Sequence, residues 1–188
     1  MKKTALILSV IACSLGLGAH AADTYKVDPV HSSVVFSIKH AGVTDFLGSF
    51  NEITGTVVFD AADLSQSSVE LTVPVASVDS RHPKRDTHLK SADFFNAEKF
   101  PAVTFKSTKI EGSGNDFKVT GDFTLLGVTK SITVDFKRGP DGKGMQGEVR
   151  GGGQTRFTLK RSDYGMTFMP DALGDEVSLV ISLEGVKE

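Results

Sequence analysis

Residues 117–136 read FKVTGDFTLLGVTKSITVDF, and this stretch decides the fold. Phe117, Val119, Phe123 and Leu125 fall at alternate positions, with Lys118, Thr120, Asp122 and Thr124 between them. That period of two belongs to a strand with one buried face. After Leu126-Gly127-Val128 the same alternation resumes in Ile132, Val134 and Phe136. Two alternating runs across a glycine turn describe an antiparallel hairpin.

Working outward, the pattern repeats. Val34, Phe36 and Ile38 alternate with Ser33, Ser37 and Lys39; Ile53, Val57 and Phe59 oppose Glu52, Thr54 and Thr56. Val69, Leu71, Val73 and Val75 form a further run, and Val177, Leu179, Ile181 and Leu183 another. Pro74 cannot donate to a ladder, so it suggests a sheet edge or a bulge, and an edge leaves a homodimer open. Gly151-Gly152-Gly153 reads as a bulge or bend within a strand. Helix is nearly absent: Ala61 to Gln66 suits a single turn, and Lys84 to Ser91 a short helix carrying Arg85 and His88 on one face. About eight to ten strands at hairpin spacing, without crossover helices, indicate an all-β antiparallel barrel or sandwich. A barrel removes exposed edges, and one of about eight strands is filled by side chains or holds one small ligand.

The N-terminus indicates the compartment. Lys2 and Lys3 precede an apolar segment from Ala5 to Leu17, and Ala19-His20-Ala21 supplies the small residues of a cleavage site. Residues 1–21 therefore read as a secretory signal peptide and residues 22–188 as one domain, with a periplasmic destination. The segment is shorter than a membrane span, and no later apolar run is long enough for stable membrane insertion. A lipoprotein box at Val10-Ile11-Ala12-Cys13 is the rival reading, but it shortens the apolar region and leaves an apolar tail. Cys13 is the only cysteine, so the processed chain holds no disulfide and no thiolate metal site. Loss of Lys2 and Lys3 takes the basic residues from 21 to 19 against 23 acidic ones, a net charge of −4. That balance argues against nucleic acid as a partner.

One segment breaks the monotony: residues 77–105, SVDSRHPKRDTHLKSADFFNAEKFPAVTF. Loops longer than about 12 to 15 residues are usually binding loops, lids or linkers. Here Arg81, His82, Lys84, Arg85, Asp86 and His88 crowd together just before Phe94 and Phe95, as at the mouth of a cavity. With 13 Phe, 2 Tyr and no Trp, the aromatic surface almost lacks polar handles. Such an interior suits a hydrocarbon guest, or a dry core of packed phenylalanines.

In order along the chain stand Val27-Asp28, His31-Ser32, Val34-x-Phe36, Lys39-His40, Gly48-Ser49-Phe50, Ser77-Val78-Asp79, Arg85-Asp86-x-His88-Leu89-Lys90-Ser91, Asp93-Phe94-Phe95, Phe100-Pro101 and Gly121-x-Phe123-Thr124-Leu125-x-Gly127-Val128-Thr129. In this order and spacing the chain resembles the YceI-like family of secreted, lipocalin-like proteins. The resemblance implies an extended antiparallel eight-stranded lipocalin-like barrel with a short helix in a long loop. It also implies a non-enzymatic role, with a long isoprenoid chain, a polyprenyl phosphate or an isoprenoid quinone, held in an apolar tunnel for lipid transport, storage or stress response. No cofactor is expected beyond that ligand.

On this reading the ligand-binding residues are Phe36, Ile38, His40, Phe50, Arg85, His88, Leu89, Phe94, Phe95, Phe105, Phe123, Met166 and Phe168. Head-group candidates are His31, His40, Arg85 and His88, with Asp86 orienting or ion-pairing Arg85, because a guanidinium fork suits a phosphate. The same Arg85, Asp86 and His88 equally suit a clamp that pins the loop. No nucleophile elbow, zinc-protease motif or phosphate loop is present, so no catalytic residue is assigned. His31, His40, His82 and His88 lack a recognised ligand spacing, so no metal site is assigned either. Two other readings stay open: a lipid-modifying enzyme using His88 with Asp86, and a filled barrel acting through a protein partner.

Overall fold

The computed structural model describes residues 22–188; the expected signal peptide, residues 1–21, lies outside them. The elements run β1 (Asp23–Val27), β2 (Ser33–His40), β3 (Thr44–Phe50), β4 (Thr54–Phe59), β5 (Ser68–Pro74), β6 (Val78–Asp79), α1 (Pro83–Lys90), β7 (Ala102–Ser113), β8 (Asp116–Leu125), β9 (Val128–Arg138), β10 (Gly142–Lys143), β11 (Val149–Lys160) and β12 (Leu173–Lys187). A 3-10 turn, Leu64–Gln66, lies within the single turn expected from Ala61 to Gln66. No helix among the described residues is long and apolar enough to cross a membrane.

Antiparallel pairing in the order β11-β9-β8-β7-β5-β4-β1-β12, with β12 returning to β11, closes an eight-stranded barrel. The opening hairpin behaves as its alternation demands. Phe117, Val119, Phe123 and Leu125 are buried on β8, and Leu125 pairs with Val128 across the turn. Leu126 and Gly127 both take positive φ, 52° and 74°, the backbone of a two-residue type I′ turn whose twist matches its strands.

The closing strand has two tasks. Along one edge β12 pairs with β11 from Arg150↔Val186 to Lys160↔Glu176. Along the other it pairs with β1 near its end and with β2 over Leu173 to Ser182. Strands β2 and β3 thus extend one wall beyond the ring, and β6 covers the far edge of β3.

Two expectations need correction. Gly151-Gly152-Gly153 is no bulge, since its register with β12 is unbroken; aromatic rings take the space instead, Tyr25 beside Gly151 and Phe136 beside Gly153. Pro74 marks no free edge, because β5 lies between β4 and β7. It ends the strand beyond Thr72, the last residue paired with β4, so its missing N–H costs that pairing nothing. The free edge at Pro74 that would leave a homodimer open is therefore absent. The irregularities fall elsewhere, between Ser107 and Lys109 on β7 and between Leu173 and Val177 on β12.

Candidate functional site

The segment before and within α1 is built around one buried serine. His82 is the N-cap in extended conformation and Pro83 opens the helix, where a missing N–H is harmless. Ser80, 0% exposed, accepts from Arg85 Nε at 2.9 Å through Oγ, and from Arg85 Nη2 at 2.7 Å through its carbonyl. Its own N–H donates to Asp86 Oδ1 at 2.7 Å, and its hydroxyl donates to the same oxygen. Arg85 and Asp86 are therefore linked through Ser80 rather than paired directly. The Arg85 guanidinium also lies 4.4 Å from the centroid of the Phe46 ring, a cation–π contact.

After α1 the chain folds back tightly, with Phe95 N donating to Leu89 O and Ala97 N to Lys90 O, each at 2.9 Å. The turn drives Phe95 into the barrel. Its ring meets Phe50 edge-on at 5.5 Å, and Phe50 meets Phe36 at 5.9 Å. Above them His88, Phe94 and Phe168 form an edge-to-face trio with centroids 5.0 to 5.5 Å apart. His88 Nε2 bonds Asp93 Oδ2 at 2.9 Å. Asp86 faces Ser80 instead, so the expected His88/Asp86 base-and-orienter pair is not formed.

These side chains enclose a cavity of about 280 Å³. Of the expected ligand residues, Phe36, Ile38, His40, Phe50, Arg85, His88, Leu89, Phe94, Phe95, Phe123 and Met166 line it. Phe168 stands behind Phe94 and His88 at the rim. Phe105 does not line the cavity and packs instead on the core cluster of Phe123, Leu125 and Tyr164. His31 is not at this mouth: it bonds Asp28 at 2.8 Å and lines the broad groove at the opposite end. His82 caps the helix and is also away from the cavity.

Several walls were not anticipated, including Phe46, Leu159, Met169, Leu173 and the β12 row Val177, Leu179 and Ile181. The β12 row was legible as a buried face but not as a cavity wall. Arg161 carried no signal at all. It is 3% exposed and donates to four carbonyls, Met166 O at 3.0 Å, Phe168 O at 2.7 Å, Leu173 O at 3.2 Å and Gly174 O at 2.9 Å. This buried cation holds the loop carrying Met166 and Met169 against the cavity.

At the opposite end Asp28, His31 and Glu184 bring ligand atoms within 4.8 Å of one another. A cation already sits among them, since Arg150 Nη1 donates to Asp28 at 2.7 Å and to Glu184 at 2.6 Å.

The class defined by this geometry is a closed eight-stranded antiparallel barrel with an apolar internal cavity, capped at its extended end by a short helix. The YceI-like domain matches residues 25–185, and the chain belongs to that family. A UPF0312 protein of Pectobacterium atrosepticum is 38% identical over 190 residues, covering 100% of this chain and 99% of its own. Among solved structures, Burkholderia cenocepacia BcnA is similar at a TM-score of 0.73 and 27% identity, covering 84% of this chain and 98% of BcnA. A domain from Saccharophagus degradans, described as polyisoprenoid binding and implicated in plant cell wall breakdown, shares the fold. Its TM-score is 0.65 at 14% identity, covering 87% of this chain and 98% of the domain.

Proposed function

We propose that the protein is an exported, periplasmic carrier of an amphiphilic isoprenoid lipid, with the prenyl chain in the barrel and the head group at Arg85 and His88. The observation that carries this reading is the cavity, whose lining is hydrocarbon apart from Arg85, His88, His40 and Arg161. A prenyl chain offers no hydrogen bonds, so an apolar, closed bore favours it over polar metabolites. Family membership and the polyisoprenoid-binding fold neighbour agree with a binding role rather than catalysis.

Magnitudes constrain the ligand. An apolar cavity of about 150 Å³ accommodates one benzene, so about 280 Å³ accommodates roughly a dozen carbons. At about 0.8 kcal/mol per buried methylene this contributes about 10 kcal/mol, against an association cost of about 4 to 15 kcal/mol. The chain segment held there cannot secure tight binding alone, and head-group contacts must add to it. Arg85 spends Nε and Nη2 on Ser80, and Nη1 has no hydrogen-bond partner among the described residues. A phosphate oxygen suits that donor.

The test compares farnesyl phosphate with farnesol on the delipidated protein by titration calorimetry. Replacing Arg85 with Ala is expected to weaken the phosphate about ten- to a hundredfold, the worth of a charge-assisted hydrogen bond, and to leave the alcohol nearly unchanged. Equal losses for both ligands would remove the head-group assignment. Mass spectrometry of the organic extract of natively purified protein identifies the natural guest; recovery of a polar metabolite instead would overturn the carrier reading.

A further inference from the structure

The mouth of the cavity carries exposed hydrocarbon on two neighbouring tips. One is the turn between β2 and β3, where Val43 is 82% exposed. The other is the loop before β12, where Phe168 is 38% and Met169 42% exposed. Ala41 N donates to Ala172 O at 2.7 Å, which holds the two tips side by side. Both turn through a non-glycine residue at positive φ, Ala41 at 50° and Met169 at 52°, a strain that persists only where the surrounding structure enforces it. Met169 lines the cavity as well as meeting solvent, so apolar surface continues through this side chain from the interior to the outside. Charge around the mouth is balanced: Asp45 is paired with Lys39 and Asp93 with His88, and exposed Lys84 on α1 is matched by exposed Asp171 on the loop.

Resting on the carrier reading, we infer that these two tips dock on a phospholipid bilayer, with Val43, Phe168 and Met169 entering the boundary between head groups and acyl chains. The size of the patch selects this occupant. Even large side chains carry only about 150 to 250 Å² each, whereas a stable protein interface takes about 800 Å² from each partner. Three partly exposed side chains are too few for a second copy of the chain, but they suit shallow, reversible insertion into a membrane surface. Docked in this way, the cavity mouth opens onto hydrocarbon, and a prenyl chain passes between bilayer and barrel without crossing water. Each methylene kept out of water on that path is worth about fourfold in the transfer equilibrium. With balanced charge at the rim, hydrocarbon rather than ionic attraction holds the contact, so it should resist added salt.

The chain contains no Trp, so a single introduced indole reports its own surroundings. Val43→Trp places it at the mouth. Val30→Trp is the control, since Val30 is also 82% exposed but adjoins Asp28 and His31 at the opposite end. With phosphatidylcholine vesicles, Val43→Trp is expected to show a blue-shifted emission that survives added salt and is quenched by brominated phosphatidylcholine, while Val30→Trp shows neither change. A second variant reads the consequence. Val43 does not line the cavity, so Val43→Asp should keep the farnesol affinity measured in solution and slow uptake of farnesol from vesicles at least about tenfold, the worth of one lost apolar insertion. No shift with vesicles, an equal shift at both positions, or a shift without vesicles that grows with protein concentration, as a second copy would cause, overturns the docking and leaves the carrier reading intact. Absence of farnesol binding to the folded protein in solution overturns the carrier reading and this inference with it.

Discussion

Several glycines hold aromatic rings where side chains would otherwise stand, Gly48, Gly121 and Gly153 among them. A Cβ on Gly48 would come 2.3 Å from Phe36 Cζ, one on Gly121 2.6 Å from Phe105, and one on Gly153 2.7 Å from Phe136. Phe36 is both a cavity wall and part of the buried core. Gly48→Ala must push that ring toward the cavity or part β2 from β3, and overpacking of this kind costs about 1 to 3 kcal/mol; urea denaturation measures the loss. Ser80 is a second point of leverage. Ser80→Ala leaves Arg85 Nε and an Asp86 oxygen without their shared hydroxyl, at about 1 to 3 kcal/mol. The variant is also expected to weaken phosphate-bearing ligands more than alcohols, since Arg85 loses its anchor; parallel titration of both ligands checks this. Neither glycine nor serine was readable in these roles. A strand glycine announces spare room, but the ring that fills it comes from a neighbouring strand, and Ser80 differs from other loop serines only after folding.

The strands were the legible elements, because alternation is a local property and the long strands turn one apolar face toward the barrel interior. The helix was legible too, as a short run within Lys84 to Ser91, although its start at Pro83 and the cap at His82 were not. The segment between the 3-10 turn at Arg161–Tyr164 and β12 was not. Its shape comes from Arg161, which bonds only main-chain carbonyls there, and a guanidinium seeking carbonyls needs no partner side chain that a sequence reader could match to it. Arg161→Lys keeps the charge but supplies one compact ammonium for four widely spread acceptors. The expected result is a loss of at least about 2 kcal/mol and faster amide exchange over residues 166–173. Unchanged exchange there would show that the loop is held by the packing of Met166 alone.

Across the whole molecule, the end opposite the helix-capped cavity carries an ionic cluster of its own. Around Arg150 gather Asp28, Glu148 and Glu184, with His31 on Asp28. Hydrogen bonds from His31 and then Arg150 hold the Asp28 carboxyl well below the usual carboxylate range. A depressed folded-state value stabilises the fold above the unfolded carboxylate's value of about 3.9 and ceases to do so as pH falls through the folded one. Asp28→Asn is therefore expected to lower Tm at neutral pH, and the gap from wild type should close in strong acid, below about pH 4; thermal melts across that range measure it. A gap that persists undiminished in acid would mean that packing, not ionisation, stabilises this end.

The pairing of β12 with both β11 and the β1–β2 wall also governs the order of events in folding. Tyr25 aligns with Lys187, so the ring joins the first strand to the last and cannot close until the final residues are available. Contacts this distant in sequence place the protein among slow folders, on the millisecond-to-second scale. A chain made from its N-terminus onward therefore cannot close its barrel until β12 arrives.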